Sequence, residues 1–414
     1  MADQLKVLLI GGGGREHALA YAIHKSPLLE KLYIAPGNPG TETLGENIAL
    51  NYDDRQELLS FVRDHNIDLT VVGPEDPLVG GIVDILEEQG HKAFGPSRYA
   101  AQLEGSKAFA KRFMKDYSIP TADYATFASD NFKEARSYLR EEVSFPVVLK
   151  ADGLAGGKGV FVCQTKEEAL SNLDYIQADK KISKAAEKLV IEEFLEGEEA
   201  SVFVISDGED AKIIGNAQDH KRIGEGDTGL NTGGMGAYSP APVVTNEVLE
   251  QVASQIIRPT IDGMIQEGAP YKGILYLGLM ITGGGPKVVE YNCRMGDPEC
   301  QAILPRLNSD WLQAMWNTVQ GRLDEVKIEL DDNYYCCVVM ASDGYPGEYE
   351  KGKEIKGLDR LCDEDLVFHS GTKRQNGKIV TDGGRVLSVV NHGDTLREAV
   401  NQTYQGVRKI HFEN

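Results

Sequence analysis

The stretch "VVLKADGLAGGKGV", Val147–Val160, joins an apolar run to a glycine-rich loop that carries two lysines. Lys150 ends the apolar run, which predicts a buried strand, and Lys158 stands inside the loop. Glycine lets backbone N–H groups approach phosphate oxygens closely, so the loop indicates phosphate binding. It is not a Walker A motif, because Asp152 stands where the first glycine belongs and Gly159 follows the lysine. Taken alone, the stretch fits a hairpin with two solvated lysines equally well.

A second segment adds groups that suit a nucleotide. In "VIEEFLEGEEAS", Val190–Ser201, acidic residues are interleaved with Phe194 and Leu195. Those two side chains suit a flat apolar ligand such as a base. An acidic run at a strand end is normally a solvated turn, and that alternative stays open for this segment alone.

The stretch "VVEYNCR", Val288–Arg294, places three polar side chains on one face of a predicted strand, since alternate residues point the same way. Glu290 and Asn292 offer hard oxygen ligands that suit Mg²⁺, whose other positions are filled by phosphate oxygens and water. Arg294 follows on that face, where it is placed to meet a transferred phosphoryl group. Together with the lysine loop and the acidic segment, this strand favours a nucleotide site.

The first hundred residues alternate apolar strands with helices. The strand "KVLLI" at Lys6–Ile10 is followed by the helix "REHALAYAIHK", and the pattern repeats up to the helix "LVGGIVDILEEQG". This alternation predicts a parallel, doubly wound sheet, which binds ligands at the carboxyl ends of its strands. Three loops fall at that edge: "GGGGREH", "APGNPG" and "GPEDP".

The loop "GGGGREH", Gly11–His17, does not match a dinucleotide fingerprint. G-x-G-x-x-G would need a third glycine where Glu16 or His17 stands, and the second strand ends in Pro-Gly-Asn rather than in an acid. A nicotinamide cofactor is therefore not expected. A helix N-terminus beside Arg15 suits a compact phosphate ester, while a tight turn without a ligand is the alternative.

The length of 414 residues predicts two or three domains. The pattern changes near residue 104, where "SKAFAKRFMKDY" predicts a basic amphipathic helix, and again after about residue 325, where a small α+β unit begins. We expect domains at 1–103, 104–325 and 326–414. The glycine-rich "GEGDTGLNTGGMGAYSPAP" is interpreted as a long loop, of a kind that is usually functional or disordered, and residues 246–267 as one long helix.

Composition excludes several classes of protein. The net charge of −21 argues against nucleic-acid and anionic-membrane partners. No apolar run approaches the roughly 18 residues of a membrane helix, and the N-terminus has no cleavage signal. The six cysteines form no C-x-x-C pair, so neither a zinc site nor a disulfide framework is indicated. A cytoplasmic location is expected.

The order of these parts resembles the ATP-grasp superfamily, whose members join carboxylates to amines through acyl phosphates. Within it, longer motifs over nearly the whole chain resemble the phosphoribosylamine–glycine ligase family. These motifs are "LIGGGGREHALA", "APGNPGT", "VGPEDPLVGGIVD", "QLEGSKAFAKRFM", "VLKADGLAGGKGV", "IEEFLEGEEAS", "QDHKR", "NTGGMGAYSPAP" and "EYNCRMGDPE".

The resemblance implies an N-terminal doubly wound, pre-ATP-grasp domain, a central two-part ATP-grasp domain with a lid subdomain at about 120–190, and a small C-terminal α+β domain. It further implies that ATP drives the joining of glycine to 5-phospho-D-ribosylamine through glycyl phosphate, in the second step of de novo purine (IMP) biosynthesis. Mg²⁺ or Mn²⁺ is the expected cofactor, ATP the co-substrate and a monomer the expected state. The alternatives are another ATP-grasp carboxylate–amine ligase or a biotin-carboxylase-like enzyme.

The resemblance also assigns roles to residues of this chain. Phosphates of ATP are expected at Lys107 and Lys150, with Lys158 above them on a mobile loop, and the adenine edge at backbone groups of Glu192 and Leu195. Further ATP contacts are Glu193 and Glu199, with Glu198 as the alternative to Glu199 for the ribose. The remaining assignments are metal binding by Glu290 and Asn292, catalysis by Arg294, Lys221 and Asp297, and substrate binding by Gly13, Gly14, Arg15, Glu16, Pro74, Glu75, Asp219 and Arg222. Gly278 stands where many ATP-grasp enzymes have another carboxylate, so a second protein-bound metal is not implied.

Overall fold

The computed structural model of the chain describes residues 4–153, 159–179, 188–226 and 228–413. Five parallel strands near the N-terminus form one sheet: β1 (Leu5–Gly11), β2 (Leu29–Pro36), β3 (Glu46–Asn47), β4 (Leu69–Val72) and β5 (Ala93–Phe94). Their order is β3-β2-β1-β4-β5, so the chain winds outward from β1 in both directions. This confirms the predicted doubly wound sheet. The loop after β1 lies at the point where the winding reverses, which is where such sheets bind ligands.

The helices around this sheet are α1 (Gly14–His24), α2 (Arg55–Asp64), α3 (Glu75–Gly80) and α4 (Ile82–Glu87). The single helix predicted for "LVGGIVDILEEQG" is wrong, because α3 and α4 are separated by Gly81. Its φ of 90° is left-handed, a conformation that glycine adopts without a steric penalty and that ends a helix.

A second, antiparallel sheet contains four strands: β6 (Tyr124–Ala128), β7 (Val147–Ala151), β8 (Val160–Cys163) and β9 (Lys188–Glu193). Before it come the short helix α5 (Gln102–Gly105) and α6 (Lys107–Asp116). Two more helices, α7 (Phe132–Glu141) and α8 (Lys166–Ala178), pack on the sheet. The sheet has a core of its own, formed by side chains such as Leu149, Leu173 and Ile191. The predicted lid limits of about 120–190 stay a prediction.

The third sheet has eight strands in the order β14-β13-β10-β11-β12-β15-β19-β16. Their bounds are β10 (Glu198–Asp207), β11 (Ala211–Gly224), β12 (Thr228–Ser239), β13 (Lys272–Thr282), β14 (Gly285–Asn292), β15 (Tyr334–Ala341), β16 (Leu366–His369) and β19 (Arg385–Gly393). Strand β15 pairs with β12 through Gly236–Ser239, so the sheet continues across the predicted boundary near residue 325. The domain limits themselves stay predictions.

Most of the glycine-rich stretch, Thr228–Ser239, is strand β12, and its interpretation as a long loop is wrong. Strand β12 is paired with β11 on one side and with β15 on the other, and these ladders outweigh the low strand propensity of glycine. At Gly234 the φ is 108°, and a Cβ atom would lie 2.5 Å from Cδ of Pro298. Glycine at this position therefore lets the 297–298 segment approach the strand.

The remaining elements complete the chain. They are α9 (Asn246–Val252), α10 (Arg258–Gln266), α11 (Glu299–Ile303), α12 (Trp311–Val319), α13 (Leu396–Val407) and the hairpin of β17 (Thr372–Gln375) and β18 (Lys378–Thr381). A π-helical turn at Ala253–Ile257 joins α9 to α10, so the long helix predicted over residues 246–267 is present with one irregular turn. In the described part of the chain, every helix is too short or too polar to cross a membrane.

Candidate active site

A small pocket opens where β10, β11, β13 and β14 meet. Glu290 projects into it from β14, opposite Gly278 of β13. A Cβ atom at Gly278 would lie 2.9 Å from Cγ of Glu290, so a larger residue there would displace the carboxylate. The other polar groups in the wall of the pocket are Glu199, Ser201, Asp219, Lys221 and Tyr276.

Glu290 carries a stable negative charge. Burial opposes its ionisation, but Lys221, Lys150, Lys107 and Arg294 outweigh that effect and hold the pKa of Glu290 below its usual range. Each of these cations also has a partner of its own, so their positive charge is shared among several groups around the pocket.

Lys221 is the cation that faces the acidic wall of the pocket. Its Nζ lies 3.2 Å from Oε2 of Glu199 and 3.9 Å from Oδ2 of Asp219. Although burial lowers the pKa of Lys221, Asp219 and neighbouring anions raise it well above its usual value. Glu199 therefore faces the pocket beside Lys221, while its contact with a ribose stays a prediction.

Glu299, at the start of α11, is a buried carboxyl group in the same environment. Burial, followed by repulsion from Asp219, raises the pKa of Glu299 to about 7. Burial likewise raises the pKa of Asp219, against the opposing effect of Lys221. Glu299 is therefore a buried carboxyl group that can take up or release a proton near neutral pH.

Arg294 connects the pocket to the N-terminal sheet. Its Nη2 donates to Oε1 of Glu104 at 2.8 Å and to Oδ1 of Asn292 at 3.2 Å, and its Nε lies 3.0 Å from Oε2 of Glu75. The same Glu75 oxygen accepts from Nη1 of Arg15 at 3.4 Å. Burial opposes ionisation of Glu75, but the two arginines lower its pKa to about 2. The guanidinium of Arg294 is thus largely occupied by protein partners, and its contact with a phosphoryl group stays a prediction.

The predicted phosphate lysines lie on neighbouring elements. Lys107 begins α6 and donates from Nζ to the carbonyl of Gly153 at 3.2 Å. Lys150 is the last residue but one of β7, where its Nζ lies 2.9 Å from Oε2 of Glu192 and 3.3 Å from the carbonyl of Val289. Both ammonium groups lie near enough to Glu290 to lower its pKa. Lys158 lies outside the described residues.

The start of α1 meets residues from the other two thirds of the chain. Oε2 of Glu16 accepts from the backbone N–H of Gly13 at 2.7 Å, so one amide of the predicted phosphate cradle is already capped. A Cβ atom at Gly14 would lie 2.5 Å from Oγ of Ser370 and 2.6 Å from Nε2 of Gln301. Because Gly14 has no side chain, the N-terminal loop, α11 and the C-terminal strands can pack closely against one another here.

Asp297 lies at this junction. Its Oδ2 is 3.0 Å from Nη2 of Arg385, and its Oδ1 accepts from Nε2 of Gln301 at 2.7 Å. Burial opposes ionisation, but Arg385 and then Arg15 hold the pKa of Asp297 below its usual range. Nη1 of Arg385 also donates to the carbonyl of Gly233 at 2.7 Å, which fixes strand β12 beside Asp297.

The other residues that were predicted to bind ATP or substrate lie near the groups described above. Pro74 caps α3 just before Glu75, Leu195 is buried between β9 and β10, and Glu193 is half-exposed with its Oε2 3.8 Å from Nζ of Lys287. Arg222 lies on β11, next along from Lys221.

Sequence reasoning missed several residues of the site. Glu104 and Glu299 stand inside the quoted motifs "QLEGSKAFAKRFM" and "EYNCRMGDPE". Because they lie close in sequence to Lys107 and Asp297, they could have been predicted as site residues. Arg385 and Ser370 lie in the C-terminal third, and no local pattern connects them to residues near 14 or 297. Only the tertiary contacts reveal them.

Comparisons with known proteins agree with this arrangement. Three family models match the chain: the N domain of phosphoribosylglycinamide synthetase at residues 5–104, its ATP-grasp (A) domain at 105–300 and its C domain at 335–414. A phosphoribosylamine–glycine ligase of Brucella melitensis biotype 1 is 50% identical over 408 residues, covering 98% of this chain and 95% of the relative. One of Escherichia coli O157:H7 is 49% identical over 415 residues, covering 99% and 96%.

Solved structures show the same relationship. The crystal structure of phosphoribosylamine–glycine ligase from Thermotoga maritima has a TM-score of 0.85 and 35% identity, covering 99% of this chain and 98% of the other. The biotin carboxylase domain of 2-oxoglutarate carboxylase from Hydrogenobacter thermophilus, solved with MgADP, ADP and bicarbonate, has a TM-score of 0.77 over 99% and 91% of the two chains. At 18% identity, that likeness shows the fold alone.

The three family models follow one another along the chain and together match residues 5–300 and 335–414. The relatives are about half identical over nearly its whole length. The chain therefore belongs to the phosphoribosylamine–glycine ligase family, within the ATP-grasp fold.

Proposed function

We propose that this chain joins glycine to 5-phospho-D-ribosylamine with cleavage of ATP, giving glycinamide ribonucleotide, ADP and phosphate in the second step of IMP synthesis. Family membership supports the choice of substrates. The observation that carries the site assignment is the shared carboxylate of Glu75, which accepts from Arg15 of α1 and from Arg294 after β14. The loop that suits a phosphate ester and the strand that suits a nucleotide thus border one site. We expect the enzyme to act as a monomer.

Glu290 and Asn292 are the residues that would hold a divalent ion, Mg²⁺ or Mn²⁺. They fit such an ion because Glu290 is ionised and Asn292 presents an amide oxygen, both hard ligands. Among the residues that the structure describes, no group of three or more His, Cys, Asp or Glu side chains could hold a metal. Phosphate oxygens and water therefore have to complete the coordination. When bound, the ion offsets charge on the phosphates.

In the first chemical step, an oxygen of the glycine carboxylate attacks the γ-phosphorus of ATP. The new O–P bond forms as the bond to the β-phosphate oxygen breaks, so ADP leaves and glycyl phosphate remains. Lys107 and Lys150 flank the phosphates and stabilise the negative charge that develops there. Lys221 pairs with Glu199, and the neighbouring carboxyl group of Asp219 would hold the ammonium group of glycine.

In the second step, the amine of phosphoribosylamine attacks the acyl carbon of glycyl phosphate. A C–N bond forms, the C–O bond to the phosphate breaks, and the nitrogen loses a proton. Glu299 is suited to accept this proton because the pKa of its buried carboxyl group is raised to about 7. No side-chain nucleophile is required, since phosphorylation has already made the carboxylate a good electrophile.

Phosphate release tests the choice of substrates. We expect turnover only when ATP, glycine and phosphoribosylamine generated in situ are all present. ADP release that depends on bicarbonate would instead indicate a biotin-carboxylase-like activity. Turnover with another carboxylate–amine pair would redirect the proposal within the superfamily.

Replacing Gly14 with alanine tests the phosphoribosylamine site. The added methyl group would overlap Ser370 and Gln301 at 2.5 and 2.6 Å, and the junction at the start of α1 would have to open. We expect the KM for phosphoribosylamine to rise about tenfold, a loss of about 1.4 kcal/mol of binding, while the KM for ATP stays within about twofold.

The matched control for that variant is Gly80→Ala. A Cβ atom at Gly80 would have no atom within 4 Å, so its kinetics should equal those of the wild type. An unchanged KM for phosphoribosylamine in Gly14→Ala would remove the start of α1 from the site.

A further inference from the structure

Lys111 of α6 is a buried cation that the proposed chemistry does not use. Its side chain is 2% exposed, and lysine is almost never buried to this degree without a charged partner. Nζ of Lys111 lies 3.1 Å from Oε2 of Glu192 and donates to Oγ1 of Thr121 at 2.7 Å. Burial lowers the pKa of Lys111 to about 8, with Glu192 opposing the shift, so the group is charged at neutral pH.

The partner of Lys111 is shared. The same Oε2 of Glu192 lies 2.9 Å from Nζ of Lys150, the strand-end lysine beside the nucleotide site. Lys150 and Glu192 are themselves 7% and 4% exposed, so water screens this group poorly. Two ammonium groups and one carboxylate leave the cluster with a net charge of about +1.

The same cluster is bonded to the strand that ends in the predicted metal ligands. Oγ1 of Thr121 donates to the carbonyl of Val288 at 2.6 Å, and Nζ of Lys150 donates to the carbonyl of Val289 at 3.3 Å. Glu290 follows directly on β14. The charge of the cluster is therefore held at a fixed distance from the site where phosphates are expected.

We propose that Lys111 is a positioning residue, which neutralises Glu192 so that the charge of Lys150 stays available to the nucleotide phosphates. Without Lys111, Lys150 and Glu192 would form a neutral pair, and the attraction of Lys150 for a polyanion would be largely cancelled. This inference rests on the proposed use of ATP. It adds to that proposal a residue that touches neither ATP nor metal.

Steady-state kinetics of charge-balanced variants test the inference. In Lys111→Met we expect the KM for ATP to rise about tenfold, with the KM for glycine within about twofold. In the double variant Lys111→Met/Glu192→Gln, both the ammonium and the carboxylate are gone and Lys150 again carries an unopposed charge. We expect its KM for ATP to return to within about threefold of the wild type.

A purely structural role for Lys111 predicts a different pattern. If Lys111 only holds α6 against β9, removing Glu192 as well cannot restore ATP binding, and the double variant will be as impaired as Lys111→Met. The matched control is Lys115→Met, an exposed lysine on the same helix that should leave the KM for ATP unchanged.

Three outcomes would overturn the inference: an unchanged KM for ATP in Lys111→Met, absence of rescue in the double variant, or an equal defect in Lys115→Met. If Lys111→Met does not fold, the double variant alone decides, because it removes the buried ion pair as a unit and should bind ATP within about threefold of the wild type. A tenfold rise in that variant would contradict the proposal. Failure of the wild type itself to cleave ATP would contradict the proposed function instead, so the two are distinguishable.

Discussion

Replacing Glu290 with glutamine is expected to lower the rate of ADP formation by about a thousandfold or more while leaving the chain folded. The substitution keeps the size of the side chain and removes its charge. Glu290 is the anion on which Lys107, Lys150, Lys221 and Arg294 converge. Without it, a divalent ion would lose its only charged protein ligand in the proposed site, and the cations would bind the phosphates without holding them in a reactive geometry. A coupled assay of ADP release measures the effect.

The control for this variant is Glu250→Gln, an exposed glutamate on α9 that lines no part of the pocket. Its turnover should equal that of the wild type. Thermal unfolding of Glu250→Gln should match that of the wild type, whereas Glu290→Gln should stay folded but unfold at a lower temperature, because the surrounding cations lose a buried counter-charge. Wild-type turnover in Glu290→Gln would remove Glu290 from the site.

Replacing Arg294 with methionine is expected to affect both stability and activity. Glu104 and Glu75 would lose the guanidinium that pairs with them, and Glu104 is buried, with its side chain 6% exposed. Removing one partner of a buried ion pair costs about 3–5 kcal/mol, because the remaining charge is left uncompensated. Oδ1 of Asn292 would also lose its donor, and ADP formation should fall by about a hundredfold or more. Urea unfolding and the ADP assay measure the two effects.

A comparison with Glu104→Gln separates the two effects of Arg294. That variant removes one buried carboxylate but keeps Arg294 bonded to Glu75 and Asn292. Its rate of ADP formation should be at least half that of the wild type. If Arg294→Met were as stable and as active as the wild type, the connection between the N-terminal sheet and the pocket would carry no function.

Much of the fold could be predicted because its elements have local signatures. Strands such as Leu5–Gly11 are apolar runs followed by glycines, and helices such as Lys107–Asp116 are amphipathic. Strand β12 could not be predicted, because its sequence has low strand propensity and its conformation is imposed by β11 and β15. Gly81 broke a predicted helix through a left-handed conformation that a glycine-containing sequence permits but does not require.

The candidate site was predictable where its residues share one strand or one motif. The alternation of side chains along a strand was enough to predict that Glu290 and Asn292 share one face. The position of Lys150 at the end of an apolar run was enough to propose it as a phosphate contact. From the sequence, Lys111 was only one of several basic residues on a predicted helix. Nothing in the sequence shows that it is buried against Glu192. Arg385 and Asp297 are 88 residues apart in the sequence, and no local sequence pattern predicts a contact at that separation.

Transfer of ¹⁸O from glycine labelled in its carboxylate tests the central claim most directly. If the carboxylate attacks the γ-phosphorus and the amine then displaces phosphate, one labelled oxygen must leave with the phosphate. Mass spectrometry of the products should find one ¹⁸O in each released phosphate and one in the new amide. Unlabelled phosphate, with the second labelled oxygen released into water instead, would contradict an acyl phosphate intermediate and the proposed function of this site.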